Sequence, residues 1–97
     1  MRYEWDPAKD ALNRRKHGLR LEDGIPALED PARIFWPDDR FDYGEERILT
    51  LGRGQGRVLA VVSAEKANLD DGEEIIRIIS VRKAVKREQE AYYLGRT

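Results

Sequence analysis

The spacing of apolar residues changes near position 82, and that change organises the reading of the whole chain. Residues 74–81 form a dense apolar run, Ile75, Ile76, Ile78, Ile79 and Val81, with Arg77 at its centre, which predicts a strand carrying one charge. Beyond it, Val81, Ala84, Val85, Ala91 and Tyr92 recur on one side of a helical wheel, which predicts a helix from Arg82 onward. Two further apolar runs, 46–51 and 57–65, predict strands joined by a glycine-rich turn at 52–56. A second turn is expected at 68–72.

The first half mixes both periods. Tyr3-Glu4-Trp5 suits a short first strand. Asp6-Pro7 supplies an N-cap and a first-turn proline, so a helix is predicted over residues 7–17, burying Ala8, Ala11 and Leu12. Gly18 ends it, and Arg14, Arg15, Lys16 and His17 crowd the last turn, where the helix dipole favours cations. Leu21, Ile25 and Leu28 keep helical spacing, but Gly24 and Pro26 interrupt it, so the second helix should be short or kinked. Arg33-Ile34-Phe35-Trp36 reads as a short strand stopped by Pro37. The sum is one α+β domain: a short N-terminal strand, two helices, an antiparallel meander and a basic C-terminal helix.

Composition narrows the chemistry. A chain of 97 residues supports one modest core. It has no cysteine, which excludes disulfides and thiolate sites, and a single histidine among scattered acids makes no metal-ligand set. Residues 52–56 lack the Lys-Ser/Thr and following helix of a nucleotide loop, so no cofactor is expected. No segment has the length of a membrane span or a signal peptide, and the expectation is a cytoplasmic protein without a membrane partner. The formal net charge of −1 conceals two opposed regions. Between Glu22 and Glu46 nine carboxylates face two arginines, and from Arg77 onward six bases face two acids. The basic end suits a phosphate backbone; the acidic middle suits a basic protein partner or a plain solvated face.

Arg77 is the most informative residue, because apolar strands seldom carry a central charge unless something binds there. Two readings stand: a paired or snorkelling arginine, or a fork gripping phosphate. Arg82 and Lys86, and likewise Lys83 and Arg87, stand four apart and would stack on one helical flank. His17 has a sufficient explanation in the helix dipole, and Trp5 and Trp36 are read as core anchors.

Several segments together resemble the BrnT family of type II toxins. These are Tyr3-Glu4-Trp5-Asp6-Pro7-Ala8-Lys9, Arg15-Lys16-His17-Gly18, Gly44-Glu45-Glu46-Arg47, and the stretch from Arg77 to Ala84 with Glu88 and Tyr92. They occur in family order across nearly the whole chain. Gly24-Ile25-Pro26 departs from the smoother second helix of that family, and Ser63-Ala64-Glu65-Lys66 matches it loosely. The resemblance implies a RelE-like fold and a metal-independent ribonuclease that arrests translation. It also implies a ribbon-helix-helix antitoxin, BrnA-like, through which operator DNA is bound. Such chemistry needs cations around the phosphorane and a group to move a proton. Arg77, Arg82, Lys83 and Glu65 are then the candidate catalytic residues, with Lys86 and Arg87 tracking the RNA backbone. The alternatives are a non-catalytic nucleic-acid-binding or antitoxin-binding module, or an inactive relative.

Overall fold

A computed structural model describes residues 2–39, 44–67 and 71–95. The chain runs β1 (Arg2–Glu4), α1 (Pro7–His17), a 3-10 turn (Leu21–Gly24), α2 (Ile25–Leu28), β2 (Ile34–Pro37), β3 (Ile48–Gly54), β4 (Arg57–Ala67), β5 (Glu74–Lys83) and α3 (Lys86–Gly95). Strands β2 to β5 form the expected antiparallel meander, and β1 adds in parallel to the outer edge of β5, giving the order β1-β5-β4-β3-β2. The predicted turn residues 68–70, with Arg40, Asp42 and Arg96 of the charge blocks, lie outside the described residues.

One irregularity sets the faces of this sheet. Ser63 pairs with Ile78 and Val62 with Ser80, so Ile79 is an extra residue in β5. Such a bulge breaks the two-residue alternation of a strand. Ile78 and Val81, three apart, consequently share a face and pack with Leu19, Leu21, Ala27, Leu59 and Val61 under α1, the 3-10 turn and α2. Ile79 joins the opposite face, where Leu49, Leu51, Val58, Ala60 and Val62 pack under Ala84 and Tyr92.

Local chemistry fixes the helices. Asp6 caps α1 through the Ala8 amide at 2.8 Å, and Gly18 leaves the helix in the left-handed region at φ 70°. The predicted apolar face of α1 is a correction: Ala8 and Ala11 are exposed and Leu12 is 59% exposed. The buried residue is Asn13. Its carboxamide donates to the carbonyls of Val81 and Leu19, both at 2.8 Å, and accepts from the Val81 amide at 3.0 Å. β1 ends at Glu4, opposite Arg77, so Asn13 takes over as the hydrogen-bonding neighbour of β5 one bulge further on. The hairpin turn is also tighter than predicted. Gln55 and Gly56 (φ 54° and 75°) form a two-residue turn with both φ positive, and Gly52 belongs to β3. A Cβ on Gly52 would meet the Ala27 carbonyl oxygen at 2.2 Å, so glycine there lets α2 lie directly on the sheet.

The C-terminal helix also starts later than its spacing predicts. Arg82 and Lys83 extend β5, pairing with Ala60 and Leu59, and α3 begins at Lys86. Of the residues predicted to line one helical face, Val81 enters the first core and Val85 is half exposed.

Replacing Asn13 by alanine would leave a buried strand amide and two carbonyls unmatched. It is expected to cost about 2–3 kcal/mol, with a melting temperature lower by at least about 8 °C. Thermal denaturation of Asn13→Ala against Leu12→Ala, on the exposed flank, checks this; the second change should be nearly silent.

Candidate nucleic-acid interface

The bulge decides which cations meet. Arg77 pairs with Ala64 and Arg82 with Ala60, and these alanines stand on the same face of the unbulged β4. The two arginines, an odd number of residues apart, therefore share the face covered by α3, separated by about 13 Å along the strand. Strict alternation would have put them on opposite faces. Lys83 pairs with Leu59 and Glu65 with Ile76, which assigns both to the other face. The four candidate catalytic residues thus split into two pairs. Lys83 and Lys86 are exposed, and the flank expected from four-residue spacing does not form, because Arg82 and Lys83 belong to a strand.

Each arginine is held by a carboxylate. Arg77 bonds to Glu45, whose Oε1 also accepts from Arg47 Nε at 3.1 Å. The Arg77 hydrogen bond holds the Glu45 carboxyl below its ordinary range. Arg82 forms a two-pronged pair with Glu88, at 2.7 and 3.0 Å, and Glu88 also accepts from the Val85 amide at 2.9 Å. Glu88 thereby ties the end of β5 to the first turn of α3, as the acidic half of a capping box does. The Arg82 hydrogen bonds are the main cause of a lowered Glu88 pKa, partly opposed by burial. A carboxylate so stabilised is a weak proton acceptor.

Around this pair lies a cavity of about 380 Å³ lined by Trp36, Leu49, Arg82, Arg87, Glu88 and Ala91. Trp36 is 40% exposed, so the expectation of a core anchor holds for Trp5, which packs on the first core, and fails for Trp36. An indole beside two guanidinium groups offers a stacking surface next to phosphate-binding forks. On the outer edge of β5 a second cavity, about 540 Å³, is lined by Lys9, Leu12, Arg15, Lys16, His17, Ile79 and Ser80 among others. His17 is half buried there. Burial first, then the charges of Lys16 and Arg82, lowers its pKa and favours the neutral ring. The dipole at the end of α1 accounts for cations in this turn but not for this enclosure. Helical spacing missed it because the partner wall comes from the distant β5 edge.

The acidic middle is largely structural. Asp23 accepts from the Arg20 amide, Glu29 from the Tyr3 hydroxyl, and Asp30 from the Ala32 and Arg53 amides and the Tyr92 hydroxyl. Asp38 is buried and its amide donates to the Arg47 carbonyl at 2.7 Å.

Because the Glu88 pKa is depressed in the fold, its contribution to stability is present above the ordinary glutamate range, near 4.5, and lost as pH falls through the folded value. Chemical denaturation from pH 7 to 3 is expected to show the advantage of wild type over Glu88→Gln shrinking below about pH 5.

Comparison with known proteins gives one family. The model of BrnT, described as a ribonuclease toxin of type II toxin–antitoxin systems, matches residues 5–88. No curated protein matches the chain. The match spans every element from α1 to the first turn of α3, including both arginine–carboxylate pairs. The chain belongs to the BrnT family of ribonuclease toxins of type II toxin–antitoxin systems.

Proposed function

We infer that this chain cleaves RNA without a metal, at the corner where β5 turns into α3, and thereby arrests translation. The fold would be the RelE-like one that the family resemblance implies. The observation that carries the site is the cavity in which Arg82 and Arg87 meet Trp36; His17 lines the second cavity, walled by Ile79 and Ser80 of the same strand. Among the described residues, no three of histidine, aspartate and glutamate converge as a metal would need.

In this reading the substrate 2′-hydroxyl attacks the adjacent phosphate, and the P–O5′ bond breaks to leave a 2′,3′-cyclic phosphate. The departing 5′-oxygen takes up a proton from solvent, and Arg82 stabilises the charge gathering on the phosphorane oxygens. Glu88 holds two of its N–H groups and the Lys83 carbonyl accepts a third at 3.3 Å, which fixes the plane of the guanidinium and leaves the other two donors for phosphate. Arg87 grips a neighbouring phosphate, Trp36 stacks on a base, and Lys86 tracks the backbone, while Lys83 lies on the other face. Arg77, about four residues along the same face, binds a further phosphate by exchanging Glu45 for it. His17 takes the 2′-hydroxyl proton, because its lowered pKa keeps the ring neutral near pH 7. Glu65, on the opposite face, has no part in the step. Since Arg77 and Arg82 are both already paired, a binding module without catalysis is the second reading, in which these pairs are purely structural.

The test is induction of the chain in bacterial cells, followed by growth and mRNA integrity, beside folded Arg82→Ala and Arg77→Ala variants. Wild type should arrest growth and cut RNA, Arg82→Ala should lose roughly 10²- to 10³-fold in cleavage, and Arg77→Ala less. Equal activity of all three moves the site elsewhere. For His17, the acid limb of the cleavage pH profile should lie below 6.5 and vanish in His17→Asn.

A further inference from the structure

The helical layer covers only part of its face of the sheet. Leu59, Val61, Ile78 and Val81 lie beneath it, but the far end of the same face opens into a cavity of about 280 Å³. All four meander strands contribute: Phe35 from β2, Ile48 and Thr50 from β3, Ser63 and Glu65 from β4, Glu74 and Ile76 from β5. Leu28 and Arg33 close the remaining side.

Its chemistry is unusual for this protein. Thr50 and Ser63 are each only 4% exposed, yet among the described residues neither hydroxyl has a hydrogen-bond partner. Both residues line the cavity, so their hydroxyls are left to whatever occupies it. Glu65 and Glu74 likewise have no ion-pair or hydrogen-bond partner among the described residues, unlike Glu4, Glu29, Glu45 and Glu88. Among the described residues of the wall the one cation is Arg33, turned to the Asp30 carbonyl at 3.1 Å and lying over the Phe35 ring. Apolar sides, hydroxyl acceptors within and carboxylates lining the wall are what a lysine or arginine side chain needs: contact for its stem and acceptors for its head. The volume lies just below the range for drug-sized ligands and suits one such side chain. Phe35, 60% exposed on the edge strand beside it, supplies an aromatic anchor of the kind that centres protein interfaces. Carboxylates would repel an RNA backbone, so the occupant is a protein.

We propose that this cavity, on the opposite face of the sheet from the arginine site, receives a basic side chain of the antitoxin. This rests on the reading of the chain as the toxin of a toxin–antitoxin pair. It separates two surfaces by charge: cations for RNA on the α3 face, unpaired acids for the partner on the other.

The experiment is titration of the full-length cognate antitoxin into the full chain, as wild type, Glu74→Lys and Thr50→Val, at low and high salt. RNA cleavage by each free chain is measured alongside. Glu74→Lys should bind about tenfold or more weakly at low salt, with the deficit narrowing at high salt. Thr50→Val, which replaces only the hydroxyl by a methyl and is shown to fold normally, should lose about threefold. Cleavage should be unchanged in both. Wild-type antitoxin affinity in a folded Glu74→Lys chain overturns the proposal, as does impaired cleavage with intact antitoxin binding. If wild type binds antitoxin yet cuts no RNA, the ribonuclease mechanism fails while the binding comparison still decides this one.

Discussion

The inserted residue Ile79 and the carboxamide of Asn13 together set everything that follows in β5. The bulge shifts the alternation by one, so that Val81 enters the first core instead of facing α3. A shift of this kind is tolerable only if the displaced backbone finds hydrogen bonds, since an unmatched strand amide in a buried position is costly. β1 is too short to provide them, and Asn13 does so from α1. Helix, bulge and strand edge are one unit. It fixes the height of α1 over the sheet and brings His17 to the β5 edge.

The same shift distributes charge. Arg77 and Arg82 come to one face, while Glu65 and Glu74 open into the cavity on the other. Carboxylates on the cationic face are not free acids: Glu45 and Glu88 each hold an arginine, and their lowered pKa values record that pairing. The polar pattern is thus better described by which acids are paired than by the acidic and basic blocks along the sequence.

Much of this was legible beforehand, where local chemistry decides structure. Asp6-Pro7 and Gly18 marked both ends of α1, and Gly24 and Pro26 announced the break between the 3-10 turn and α2. The meander followed from its apolar runs. What escaped depends on distant partners. Asn13 looks like a surface residue until Val81 arrives beside it, and Leu12 looks like core. Arg82 and Lys83 have helical spacing relative to Lys86 and Arg87, but Ala60 and Leu59 claim them as strand residues. A bulge leaves no mark in a run of isoleucines, so the partition of Arg77, Arg82, Lys83 and Glu65 between two faces could not be read from alternation. Of the candidate site, the arginines and the corner were visible; the surroundings of His17 and Trp36 were not.

The most direct test of the central claim is the chemistry of the cut ends. Purified chain would be incubated with RNA in the presence of a chelator, and the termini compared with those left by Arg82→Ala. The account predicts 2′,3′-cyclic phosphate and 5′-hydroxyl ends from the wild type and almost none from the variant. Ends bearing 3′-hydroxyl and 5′-phosphate, loss of cleavage on chelation, or undiminished cutting by Arg82→Ala would contradict it.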